Sequence, residues 1–140
     1  MKKHYKIGML LAAVLLAGCV RVPAENMSSE KPPKATSQKL DQGTAQENLE
    51  ANEDILLIDV RTPEEFEEKH IPNSILLPDY DIDKLAPEML PDKDAQIYLY
   101  CRSGNRSSMA AAKLADMGYT QVYDIGGIID WKYETISGKE

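Results

Sequence analysis

Histidine and cysteine are scarce in this chain, with two of each among 140 residues. The histidines, His4 and His70, and the cysteines, Cys19 and Cys101, form no cluster at metal-ligand spacing, so no metal and no cofactor is expected. The count permits a Cys19–Cys101 disulfide, but each cysteine sits inside a local signature of its own. Positive charge is also short: 16 Lys and Arg stand against 23 Asp and Glu, a formal charge of −7. A nucleic-acid partner needs a basic face, and this balance argues against one. The apolar run Ile7–Gly18 has twelve residues, too few to cross a bilayer core of about 30 Å, which takes about 20 residues in a helix. No internal repeat is visible, and the length suits one domain rather than two.

What is present begins with an address. Met1–Lys6 carries Lys2, Lys3 and Lys6 and no acidic residue, and the apolar run follows it, the pattern of a secretory signal. The run ends Leu16-Ala17-Gly18-Cys19, which resembles the lipobox of bacterial lipoproteins. That resemblance implies a signal peptide over residues 1–18, a diacylglycerol on the Cys19 thiol, and Cys19 as the mature N-terminus. The expected location is the outer face of the cell membrane, or the periplasmic side and outer membrane of a Gram-negative cell. Loss of the three lysines would leave 13 − 23 = −10. Residues 19–39, with Pro32-Pro33 and few large apolar side chains, bury too little surface to offset their ordering entropy and are expected to be a tether. Residues 40–140 are then the folded domain.

Within that domain, Ile55–Val60 is a near-continuous apolar run, as in a strand covered on both faces. Thr62-Pro63-Glu64-Glu65 has the residues of a helix start, with Thr at the N-cap and Glu three positions on. That helix is predicted to reach Lys69, with Phe66 turned inward. Further strands are predicted at Ser74–Leu77, Gln96–Tyr100 and Gln121–Ile125, and helices over Ile82–Leu90 and Ser107–Met117. A strand near Gln38–Leu40, a helix over Thr44–Ala51 and a short helix around Trp131 complete the set. Strands alternating with helices imply an α/β fold, a central parallel sheet with helices on both faces. Ligands of such sheets bind beyond the carboxyl ends of the strands. Two polar segments emerge there: Asp59-Val60-Arg61, and the loop Cys101-Arg102-Ser103-Gly104-Asn105-Arg106.

Cys101 lies where a strand end enters a helix. If the loop curls, its amides from Arg102 to Arg106 converge on one point beneath a helix N-terminus, a nest for an anion. The helix end contributes about half a positive charge, and Arg102 and Arg106 add two whole ones; each favours a thiolate, the form that attacks. Gly104 supplies the backbone freedom for the curl, and Ser103, Asn105 and Ser107 bring polar groups without bulk. Arg102, at the rim, is placed to bind an anionic donor such as thiosulfate, and Arg106 to fix the loop from below.

At these residues the sequence resembles the single-domain rhodaneses. The matching segments are Leu57–Phe66, His70-Ile71-Pro72, Tyr100–Ser107 and Gly126-Gly127 with Trp131. The resemblance implies the rhodanese-like fold and a two-step transfer by a thiosulfate sulfurtransferase: Cys101 takes a sulfane sulfur, becomes a persulfide, and passes the sulfur to cyanide, a thiol or a protein. It implies substrate binding by Arg102, Ser103, Gly104, Asn105 and Arg106, and a supporting brace from Asp59 and Arg61. A non-turnover persulfide carrier serving a protein partner is the alternative. Four residues separate Cys101 from Arg106; related phosphatases and arsenate reductases use five, a wider cradle for a tetrahedral oxyanion. Lys69 and Asn73-Ser74 depart from the family's glycine and Gly-Ala around the His70 turn. His70 is expected to be structural, Trp131 a core or pocket wall, and the protein a monomer.

Overall fold

The computed structural model describes residues 34–139. The expected signal peptide, Cys19 and most of the tether lie outside the described residues. Five strands, β1 (Gln38–Lys39), β2 (Leu56–Asp59), β3 (Ile75–Leu76), β4 (Gln96–Cys101) and β5 (Gln121–Gly127), form one sheet in the order β1-β5-β4-β2-β3. Every pairing is parallel, so all the carboxyl ends lie on one edge. Four helices connect them: α1 (Gln42–Ala51), α2 (Pro63–Glu68), α3 (Ile82–Met89) and α4 (Asn105–Asp116). The α/β fold expected from the alternation is the fold observed. Gln38 and Lys39, at the tether end of the boundary drawn from sequence, pair with Tyr123 and Asp124 and belong to the sheet.

Strand alternation sorts the core. Along β4, Ile97, Leu99 and Cys101 face one way, among Ile82 and Ala86 of α3 and Ala110, Ala111 and Leu114 of α4. Tyr98 and Tyr100 face the other way, with Ala45 of α1, Ile125, Ile128 and Trp131. Burying each Leu or Ile of these clusters contributes about 1.5–3 kcal/mol, and the period of two assigns Cys101 to the α3–α4 side.

Where the elements differ from expectation, a local cause is visible. Helix α4 begins at Asn105, two residues earlier than predicted, because Gly104 (φ +102°) makes the turn and releases the loop's last residues into the helix. Strand β5 runs two residues further, through Gly126 and Gly127. Its register with β4 slips: Leu99 faces Asp124, but Cys101 faces Gly127. One extra β5 residue is absorbed there, with Gly126 at φ +89°, a bulge of the kind that re-aims a strand beside a site. The expected helix around Trp131 is a single turn, Ile128–Asp130, that ends before it.

Candidate active site

Three strand ends meet at the carboxyl edge: β2 at Asp59, β4 at Cys101 and β5 at Gly127. Cys101 is only 1% exposed. Its Sγ accepts a hydrogen bond from the Gly104 amide at 3.0 Å, so the left-handed glycine both turns the chain and directs a donor at the sulfur. Of the loop amides expected to converge, Gly104's is the one described as bonded to Sγ. Arg102, Ser103 and Asn105 are exposed around the rim. Arg102 borders a cleft of about 440 Å³ shared with Arg61, Glu65, Lys69 and Ile129. A larger cleft of about 570 Å³ lies against α1, lined in part by Leu49, Glu50, Ile71 and Glu134, and includes no residue of the Cys101 loop.

The β5 glycines make the loop's close packing possible. A Cβ on Gly127 would fall 2.2 Å from the Arg102 carbonyl oxygen and 2.6 Å from Ser103 Cα. Only a glycine lets the two backbones approach this closely. The Ile129 amide then donates to the Arg102 carbonyl at 3.2 Å, closing the loop onto the chain after β5.

Arg106, expected both to contact substrate and to fix the loop, is paired with Glu65. Its two Nη groups donate to the two oxygens of Glu65, both at 2.8 Å, so the guanidinium braces α4 against α2. Glu65 Oε2 also accepts the Thr62 amide at 3.0 Å while the Glu65 amide donates to Thr62 Oγ1 at 3.3 Å, the reciprocal capping box read from sequence. One carboxylate thus ties the starts of two helices. The hydrogen bonds from Arg106 hold the Glu65 carboxyl down at about 2, against an ordinary 4.5. A depressed carboxyl stabilises the fold above its unfolded value, and that stability is lost as pH falls through the folded one. Glu65→Gln is therefore expected to flatten the loss of thermal stability between about pH 4.5 and pH 2 and to cost about 1 kcal/mol at neutral pH, since the pair is partly exposed. Melting curves across pH check it; an unchanged acid limb would contradict the brace.

Asp59 and Arg61 form a buried ion pair. Arg61 Nη2 donates to Asp59 Oδ2 at 2.7 Å and to the Lys69 carbonyl at 2.6 Å, with both side chains buried. The brace joins the end of β2 to the turn after α2. His70 is fully buried, stacked on Phe66 with ring centroids 3.7 Å apart and its Nδ1 2.8 Å from the Phe66 carbonyl. Trp131 is buried in the α1-side cluster, a core position.

Two more side chains lie near the sulfur: Ser107, expected from sequence only as a polar group without bulk, and Asp124, which the sequence did not single out. Ser107 is fully buried, with Oγ 3.5 Å from Cys101 Sγ. Asp124, 6% exposed, accepts the Ser107 hydroxyl on Oδ1 at 2.7 Å. The available signal was an acid inside the apolar strand Val122–Ile125.

The profile of the rhodanese-like domain family matches residues 41–134. The chain belongs to this family. A sulfurtransferase of Allochromatium vinosum is 39% identical over 94 residues, covering 66% of this chain and 86% of that protein. The thiosulfate sulfurtransferase PspE of Escherichia coli is 33% identical over 81 residues, 58% of this chain and 78% of its own. Among solved structures, a rhodanese with anions from E. coli superposes with a TM-score of 0.57 at 32% identity, covering 60% of this chain and 99% of that one. A rhodanese-related protein of Thermoplasma volcanium gives 0.62 at 27% identity, covering 71% and 97%. This is a rhodanese-like domain with sulfurtransferase relatives.

Proposed function

We propose that this rhodanese-like domain moves sulfane sulfur from an anionic donor such as thiosulfate, through a persulfide on Cys101, to a thiophilic acceptor. The observation that carries the reading is the buried Sγ of Cys101 under the Gly104 amide, at the floor of a loop whose rim presents Arg102. The Cys101 thiolate attacks the outer sulfur of thiosulfate; the new S–S bond forms as the bond to the sulfonate sulfur breaks, and sulfite leaves with that electron pair. The acceptor then attacks the outer sulfur and Cys101 departs as thiolate. The amide favours negative charge on the sulfur at each stage, and Arg102 offers the donor's anionic end a counter-charge. Arg106, committed to Glu65, holds the loop's shape.

A lipid on Cys19, with export of the domain, is part of the same proposal; the basic start, the apolar run and the lipobox-like Leu16–Cys19 support it. Among the described residues Cys101 is the one free cysteine. Intact-mass spectrometry of the full chain from bacterial membranes tests both points together. The expected species begins at Cys19 with added diacylglyceryl mass and gains the mass of one sulfur on exposure to thiosulfate. An unprocessed N-terminus would sink the anchoring, and no sulfur adduct would sink the persulfide. The carrier reading is favoured by a putative sulfur carrier protein of Bacillus subtilis, 33% identical over 90 residues, of which this chain covers 48%. A stable adduct with negligible turnover on cyanide would favour carriage.

A further inference from the structure

The alternation of β5 puts Asp124 on the same side as Val122, in the layer beneath α4 where Leu99 and Leu114 are packed. A carboxylate there is costly to bury unless hydrogen-bonded. Asp124 Oδ1 accepts the Gly126 amide at 2.9 Å and the Ser107 hydroxyl at 2.7 Å. The Ser107 oxygen also lies 3.2 Å from the Gly104 carbonyl and 3.4 Å from that of Gly126. Its single proton is directed to the closest acceptor, Asp124. That leaves an Oγ lone pair facing the Cys101 thiol 3.5 Å away. Thiol, hydroxyl and carboxylate form an unbroken line inside the core.

We propose that Asp124 receives, through Ser107, the proton that Cys101 gives up on becoming a nucleophile, which makes both of them positioning residues for the reaction. The S–H bond of Cys101 and the O–H bond of Ser107 break as a new O–H bond forms on Ser107 and another on Asp124. A neutral thiol and a carboxylate become a thiolate and a carboxylic acid, with no change in net charge. Ser107 then donates to the sulfur, and the neutral Asp124 places no second negative charge beside the persulfide. When Cys101 departs from the acceptor, the proton returns by the same line. Around this pair, Arg106 of α4 and Arg102 of the loop are positive, Glu65 of α2 and Asp79 after β3 are negative, and Asp59 with Arg61 closes as an ion pair at the end of β2. Glu65 is held by Arg106 and Asp59 by Arg61, whereas Ser107, whose Oγ meets Sγ, donates to Asp124 on β5.

The inference deepens the sulfurtransferase reading, but its test needs no sulfur donor. Iodoacetamide alkylation of Cys101 is followed against pH in the full chain. Because the pair shares one negative charge, reactivity is expected to rise in two steps: to a plateau when the first proton leaves the pair, and again when the second does. Asp124→Asn and Ser107→Ala are expected to show one step, with the Ser107→Ala rate at mildly acid pH down at least about tenfold, and Asp124→Glu to restore two. A structural prop alone would change stability without changing the number of steps. If Asp124→Asn does not fold, Ser107→Ala decides alone: one step is expected, and two steps in it overturn the relay. A single step in the unsubstituted chain overturns the relay. Two steps without sulfur transfer would leave the relay standing and remove the sulfurtransferase reading; turnover with a single step would do the reverse.

Discussion

Cys101→Ser is expected to lower thiocyanate formation from thiosulfate and cyanide by at least about a thousandfold, leaving the melting curve nearly unchanged. The two halves of that expectation have separate causes. Cys101 is 1% exposed and packed in the α3–α4 core, and Ser is close to Cys in size, so the cavity stays filled. The Ser oxygen can still accept from the Gly104 amide that now meets Sγ at 3.0 Å. The loop should therefore keep its form. The chemistry has no substitute: a hydroxyl is scarcely ionised at neutral pH, and an oxygen cannot carry the outer sulfur as a persulfide does. Among the described residues there is no other cysteine to take over. Steady-state thiocyanate assays and calorimetry on both forms make the measurement. Activity that survived would mean that the reacting atom lies elsewhere.

Gly127→Ala is expected to damage the fold itself. One methyl group would have to occupy space 2.2 Å from the Arg102 carbonyl oxygen and 2.7 Å from its carbonyl carbon. These are backbone atoms and cannot rotate aside. Either the Cys101 loop lifts off β5 or the end of β5 moves, breaking the bond from the Ile129 amide to Arg102. Overpacking of this kind costs about 3 kcal/mol, which corresponds to roughly 10–20 °C in melting temperature for a domain of this size. Gly126→Ala is the control. There the added methyl would meet only the Gln42 amide nitrogen at 3.5 Å, and the cost comes from φ +89°, about 1 kcal/mol. A Gly127→Ala melt within a few degrees of the original, or one milder than Gly126→Ala, would show that the close approach is dispensable.

Much of this was legible in the residue order. Apolar runs such as Leu56–Ile58 and Ile97–Tyr100, separated by helical spacing, imply buried parallel strands, and the polar residues after them have one edge to occupy. Thr62 and Glu65 signal their capping box by type and spacing alone. The partners of Glu65 and Ser107 were not legible, because they depend on packing between distant segments. Arg106 is 41 positions from Glu65, and Ser107 is 17 from Asp124. Local spacing identifies Arg106 as a cation near the loop; only the position of α2 turns it away from the rim. The extension of β5 through a bulge was hidden for a similar reason. Gly126-Gly127 has the composition of a turn, and its role as strand comes from the neighbouring Cys101 loop.

The sheet order has a consequence for how the protein is made. β4 lies inside the sheet, between β2 and β5, and β5 also carries β1 on its far side. A chain synthesised or threaded from its N-terminus presents Cys101 before the strand that covers it. Pairing of Gln38 with Tyr123 and of Cys101 with Gly127 joins segments far apart in sequence, the slow kind of contact in folding. Until Gly127 has docked, Cys101 lacks the strand neighbour that β5 gives it. The surroundings of Cys101, from Gly104, Ser107 and Gly127, are complete only once the sheet has closed across β5.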